Sequence, residues 1–177
     1  MQKKIYVWDP LVRIFHWSLV IGFVAQALII DEDSDLHITI GYVVAGLIAF
    51  RIIWGIIGSK HARFSDFPPS PQAAMDQLGD MANGRHKDHV GHNPLGALMI
   101  YNLLILIALI SLTGYMMTTS AYFGVDWVEE VHEMLVSLAE ASVVIHVVAV
   151  VLESRRSRIN LPKAMVTGYK TQKCEET

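Results

Sequence analysis

Four apolar runs, at residues 11–30, 37–58, 94–117 and 132–152, dominate this chain of 177 residues. A hydrocarbon core of ~30 Å takes about 20 residues of helix to cross, and each run is long enough. Hydrophobic residues make up 53% and charged ones 18%, which moves the chain from the soluble class toward membranes. The runs therefore predict an all-α, integral membrane four-helix bundle, a single domain over 1–177. Two helix starts are marked especially well. Asp9–Pro10 and Asn93–Pro94 each offer a side-chain cap followed by a proline at the first helical position.

The formal net charge of -3 says less than where the charges sit. Lys3, Lys4 and Arg13 precede or open the first run. Arg51, Lys60, Arg63, Arg85 and Lys87 end the second or lie in the loop 59–93. Arg155, Arg156, Arg158, Lys163, Lys170 and Lys173 follow the fourth. These account for all 14 Lys and Arg, so the positive-inside rule puts both termini and the middle loop in the cytoplasm. The outer loops are acidic, with Asp31, Glu32, Asp33 and Asp35 in one and Asp126, Glu129 and Glu130 in the other. No cleavable signal pattern opens the chain, and the first run is expected to remain as an anchor. The single cysteine, Cys174, excludes an internal disulfide and a cysteine-built zinc or iron–sulfur site. Nothing in the pattern calls for a nucleic-acid partner.

Histidines inside the runs carry the chemistry. His132 and His146 in HEMLVSLAEASVVIH are fourteen residues apart. On one helix that spacing returns to within roughly 40° of the same face and separates the two by about 21 Å. Imidazoles in hydrocarbon are costly unless engaged, and a metal centre that fills a large gap between helices is haem, whose iron takes an imidazole from each side. The topology gives His16 and His146 a shared inner depth, and His37 and His132 a shared outer depth. Each pair is a candidate clamp for one haem b.

Further residues suit this arrangement. Gly41, one turn after His37, with Gly22 and Gly46, would let a macrocycle or a neighbouring helix approach closely. Arg51 lies fourteen residues after His37 and would pair with inner haem propionates, or else snorkel to the interface. Outer propionates would rely on water, backbone N–H groups or hydroxyls such as Thr118, Thr119 and Ser120. Glu140 is about 80° round the helix from His132 and about 120° from His146, turned away from the haem faces, and a neutral acid bonded to a neighbour such as Asn102 is expected there. His86, His89 and His92 precede a helix start and read as solvated loop, with His61 similar. Trp8, Trp17, Tyr122, Phe123 and Trp127 read as interface anchors. The stretch PQAAMDQLGDMANG can form a short amphipathic helix at the membrane surface, and residues 161–169 can lie along the interface.

The words YVWDPLVRIFHW, HITIGYVVAGLIAFRIIWGIIGSKHARFSDF, GHNPLGA, LTGY and NLPKAMVTGYK, with the histidines of the fourth run, resemble the bacterial cytochrome b561 family. The nearest branch is similar to the b-type cytochrome subunit of nickel-dependent hydrogenases. His16, His37, His132 and His146 fall on that family's ligand positions. The resemblance implies two b haems in the bacterial inner membrane, exchanging electrons with quinone and with a periplasmic partner such as a c-type cytochrome, a hydrogenase or another dehydrogenase. Two alternatives stand beside it. One is direct oxidation of superoxide or another small substrate with quinone as acceptor, disfavoured for an anion by the lack of outer Lys and Arg. The other is a haem-free membrane protein that uses its histidines and Glu140 for protons.

Overall fold

A computed structural model describes residues 2–85 and 91–173. Four helices are long and apolar enough to cross a membrane: α1 (Pro10–Leu28), α2 (Asp35–Ile57), α4 (Pro94–Met117) and α5 (Asp126–Ser157). Between α2 and α4 lie a single 3₁₀ turn (Phe64–Asp66) and α3 (Pro71–Ala82); α6 (Leu161–Thr167) follows α5. The bundle is all-α in its membrane part, as the apolar runs imply.

The helix starts are set by short polar side chains that accept otherwise orphaned amides. Asp9 accepts from the Val12 amide, Ser34 from that of His37 and Asn93 from that of Gly96. The fourth span departs from its expected bounds of 132–152. It has no side-chain cap, begins at Asp126 and runs 32 residues. At 1.5 Å per residue that is about 48 Å, well beyond a ~30 Å core. Asp126 and Glu129 sit in its first turn, Arg155 and Arg156 in its last, so both ends oppose the helix dipole. His132 is thus well inside the helix and does not open it.

Helix α1 packs on α2, α2 on α4, and α4 most extensively on α5. The buried centre joins Phe15 of α1, Val44 and Ile48 of α2, and Ile107 of α4. Gly22 lets α1 approach α2 closely, since a Cβ there would lie 3.3 Å from a Val44 methyl. Gly46 has open space beside it, and a Cβ on Gly41 would make only ordinary contact with Gln26. Gln26 also donates to the His37 carbonyl at 3.0 Å, which ties the end of α1 to the start of α2.

The cytoplasmic base holds what the apolar runs do not foretell. Strand β1 (Gln2–Tyr6) pairs antiparallel with β2 (Tyr169–Lys173), bringing Tyr6 opposite Tyr169. The Val7 and Trp8 amides both donate to the Gly168 carbonyl, and Gly168 takes a φ of 87° that suits glycine. Arg13 and Trp17 of α1 donate to the Val166 and Met165 carbonyls. Residues 161–169 are therefore a strap across the foot of α1, joined to the ribbon. Trp8 is buried against Ala164, and so is no interface anchor. Trp127 and Phe123, at the outer end, are exposed as anchors should be.

Helix α3 forms where the amphipathic stretch suggests. It packs on α4, with Gln77 accepting from the Leu95 amide at 3.1 Å. Gly55 has the tightest surroundings in α2. A Cβ there would lie 2.2 Å from the Phe64 ring. Gly55→Ala should displace Phe64 and lower stability by about 1–3 kcal/mol, as overpacking does. Thermal unfolding of the purified protein in detergent checks this, and an unchanged midpoint would contradict it.

Candidate functional site

The four intramembrane histidines come together in two pairs. His16 of α1 interacts electrostatically with His146 of α5, and His132 of α5 with His37 of α2. These are the partners expected from shared depth. Helix α5 packs on α4 and α6 but makes no comparable packing with α1 or α2, toward which its histidines turn. The Nδ1 atoms of His16 and His37 have no hydrogen-bond partner among the described residues.

His132 is oriented from behind by the LTGY segment. The Thr113 hydroxyl lies 3.0 Å from the carbonyls of both Leu109 and Ile110, so its one proton is directed to them. Its lone pair then receives the His132 Nδ1–H at 2.9 Å. That tautomer leaves Nε2 unprotonated and able to ligate. Gly114 allows this approach, because a Cβ there would sit 3.2 Å from His132 Cε1. The resemblance marked LTGY as a family word without a role. Its chemistry is legible only once α4 and α5 are side by side.

Arg51 does not snorkel. It is only 4% exposed, its guanidinium lies 4.9 Å over the Phe64 ring, and its Nη1 has no partner among the described residues. Asp9 and Tyr101 provide compensating electrostatics. Burial pushes the Asp9 carboxyl up, but hydrogen bonds from Ser59, the Val12 amide and Trp54 outweigh it and hold the group below its ordinary value. One residue thus caps α1 and anchors α2 and the following loop.

His92 is where reading the loop as solvated fails. It is packed between Trp8 and Phe67, with ring centroids 4.6 and 4.3 Å away, and its Nδ1 has no partner among the described residues. Burial, with the positive charges of Lys170, Arg51 and His61 around it, pushes the imidazole down to about 3; Asp66 opposes this. Lys170, on β2, donates to the Gly91 carbonyl at 2.7 Å and lies 5.3 Å from the Trp8 ring. Burial pushes it down to about 8 against the attraction of Glu153. His61 pairs with Asp66 at 2.9 Å. His86 and His89 lie outside the described residues. No local pattern marks His92 or Lys170, because the strap that covers them comes from the far end of the chain.

Glu140 is exposed on α5. Asn102 donates instead to Ser142 at 2.9 Å, so the expected bond to Glu140 is not made. Of the outer hydroxyls, Thr118 shares a hydrogen bond with Tyr42 at 2.8 Å, and Thr119 donates to the Met116 carbonyl.

Imidazoles that approach in two pairs between apolar helices, one of each pair with a buried nitrogen that has no partner among the described residues, have the donor chemistry of a membrane cytochrome scaffold. A model of the prokaryotic cytochrome b561 family matches residues 7–168, and the chain belongs to that family. Relatives named as hydrogenase b-type cytochrome subunits are similar to it at low identity. A probable Ni/Fe-hydrogenase B-type cytochrome subunit of Cupriavidus necator is 23% identical, over 97% of this chain and 88% of that one. The proteins of the same name in Azotobacter vinelandii and Bradyrhizobium diazoefficiens are 23% and 25% identical, over 96% and 94% of this chain and 89% and 86% of theirs. No solved structure matches. The chain is thus a bacterial membrane b-type cytochrome, a haem b protein of electron transfer.

The buried His92 generates a pH prediction. Between its ordinary 6.5 and about 3, the unfolded chain takes up a proton at His92 that the folded chain refuses. Stability therefore falls on acidification, by up to about 1.4 kcal/mol per pH unit in that window. The thermal midpoint should drop more between about pH 7 and about pH 4 in the native protein than in His92→Gln. Parallel curves would refute the assignment.

Proposed function

We propose that this protein is a dihaem b-type cytochrome of the bacterial inner membrane, carrying electrons between the quinone pool and a periplasmic redox partner. The facing of His16 with His146, and of His37 with His132, is the observation that carries the reading. The first pair would hold an inner haem and the second an outer one. When bound, the two groups supply one-electron carriers toward either side of the bilayer.

The chain's own residues bind, orient and insulate. Thr113 fixes the tautomer of His132, and Gly114 leaves room for the ring. Arg51 keeps a guanidinium nitrogen unpartnered at the inner end of α2, and is assigned to the inner propionates. Gly41 is assigned to close approach one turn beyond His37. Quinone exchange is assigned to the cytoplasmic side near Trp17, Arg51 and the start of the loop 59–93. Apolar side chains of α1, α2, α4 and α5 keep water from the histidines.

On the outer side the acidic loops suit a partner with a positive face, by electrostatic steering. The names of the relatives make a hydrogenase the first candidate, with a small c-type cytochrome or another dehydrogenase next. Asp35, Asp126 and Glu129 also stabilise helix starts, so their charge serves both purposes.

A reduced-minus-oxidised optical spectrum with quantified haem tests the proposal. Two b haems per chain are expected, with His132→Ala and His146→Ala each losing a different one; one haem in the native protein would refute it. Thr113→Val should keep both haems but shift the potential of the one bound at His132, whereas a purely packing role leaves that potential unchanged. Electron exchange with a basic partner should slow as the Debye length shrinks below about 10 Å. A rate flat with salt would remove the steering argument.

A further inference from the structure

A concave site lies where α5 turns into α6. Its volume is about 490 Å³, and Val151, Ser154, Arg155, Arg158, Asn160 and Pro162 line it. The turn is sharp because Arg158 adopts a left-handed conformation with φ 56°, the one positive φ outside glycine among the described residues. Asn160 then caps α6 by accepting from the Lys163 amide, and Ser154 accepts from that of Leu161. These bonds fold α6 back beside the last turn of α5 and set the walls.

The three arginines here are not equivalent. Arg156 is engaged, donating to the Met81 carbonyl at 3.5 Å and to that of Arg85, which holds down the end of α3. Arg155 and Arg158 make no hydrogen bond or ion pair among the described residues, and both face the cavity. Among the described residues no carboxylate lines it. Two guanidinium groups in one concavity repel unless an anion lies between them, and their planar forks match phosphate oxygens.

Above the arginines the surface is apolar. Val144, Val148 and Val151 follow one face of α5 down to Arg155, and are 63%, 51% and 40% exposed. A free oxyanion has no use for this track. A ligand with a phosphate at one end and hydrocarbon at the other fits both halves. The basic residues place this end of α5 in the leaflet where anionic lipids concentrate.

We propose that this site binds one anionic phospholipid of the cytoplasmic leaflet, its phosphate held by Arg155 and Arg158 and an acyl chain lying along Val151, Val148 and Val144. The proposal requires the membrane orientation but not the count of haems or the identity of the redox partner.

The test is native mass spectrometry of the full-length purified protein in zwitterionic detergent micelles doped with phosphatidylglycerol or phosphatidylcholine. One retained phosphatidylglycerol is expected, with phosphatidylcholine retained about tenfold less. Arg155→Gln with Arg158→Gln should cut that retention by about tenfold at unchanged helicity. Should that double variant fail to fold, Arg155→Lys with Arg158→Lys keeps the charge but not the fork, and should retain less lipid than the native protein. The native protein alone gives an independent readout: phosphatidylglycerol should raise its thermal midpoint and phosphatidylcholine should not. Equal retention of the two lipids, or equal retention by native and double-Gln proteins, overturns the proposal. Full displacement by glycerol phosphate reassigns the site to a soluble oxyanion. Unchanged lipid retention with loss of a co-purifying subunit reassigns it to an acidic protein segment.

Discussion

A bilayer core offers no hydrogen bonds, and an imidazole placed there must find its partner within the protein. That one constraint explains why the histidines occur at two depths and why they face one another. It also explains the unusual architecture of the bundle, in which α5 packs firmly on α4 while turning His132 and His146 toward helices it hardly touches. Thr113, Gly114 and Gln26 support the ring or backbone of a histidine from neighbouring helices.

The base of the molecule obeys a different rule. Ionisable groups there are buried but close to water, and they are accommodated because each meets an aromatic face, a carbonyl or an opposite charge. Arg51 lies over Phe64 and near Asp9, Lys170 near Trp8 and the Gly91 carbonyl, His92 between Trp8 and Phe67. Asp9 connects these parts to the helix starts through its bonds to Val12, Trp54 and Ser59. That end of the bundle is thereby closed by a partly polar floor built from α1, α2, the loop before α4 and the ribbon.

How much of this was legible in the sequence depends on whether the cause is local. Apolar runs and cap–proline pairs are local, and α1, α2 and α4 begin within two residues of where those signals put them. The start of α5 was missed because its cap, Val125, has no polar side chain and its first turn is acidic, so Asp126–Val131 looked like loop. The histidine pairs were legible because depth follows from topology alone. His92 and Lys170 were not, since their burial depends on a strand and a helix some eighty residues further on meeting the loop before α4. Glu140 shows the reverse error, a partner supplied by reasoning where Asn102 had already chosen Ser142.

The ribbon between Gln2–Tyr6 and Tyr169–Lys173 has a bearing on biogenesis. It joins two segments that flank all four spans, so in the finished bundle it closes only after the spans between them have been threaded through the membrane. Until then Trp8 has no Ala164 to cover it, and the foot of α1 lacks the carbonyls that receive Arg13 and Trp17. Closing the ribbon is therefore a late event that reports a completed insertion, since a chain with an odd number of spans inserted would leave its two strands on opposite sides of the bilayer.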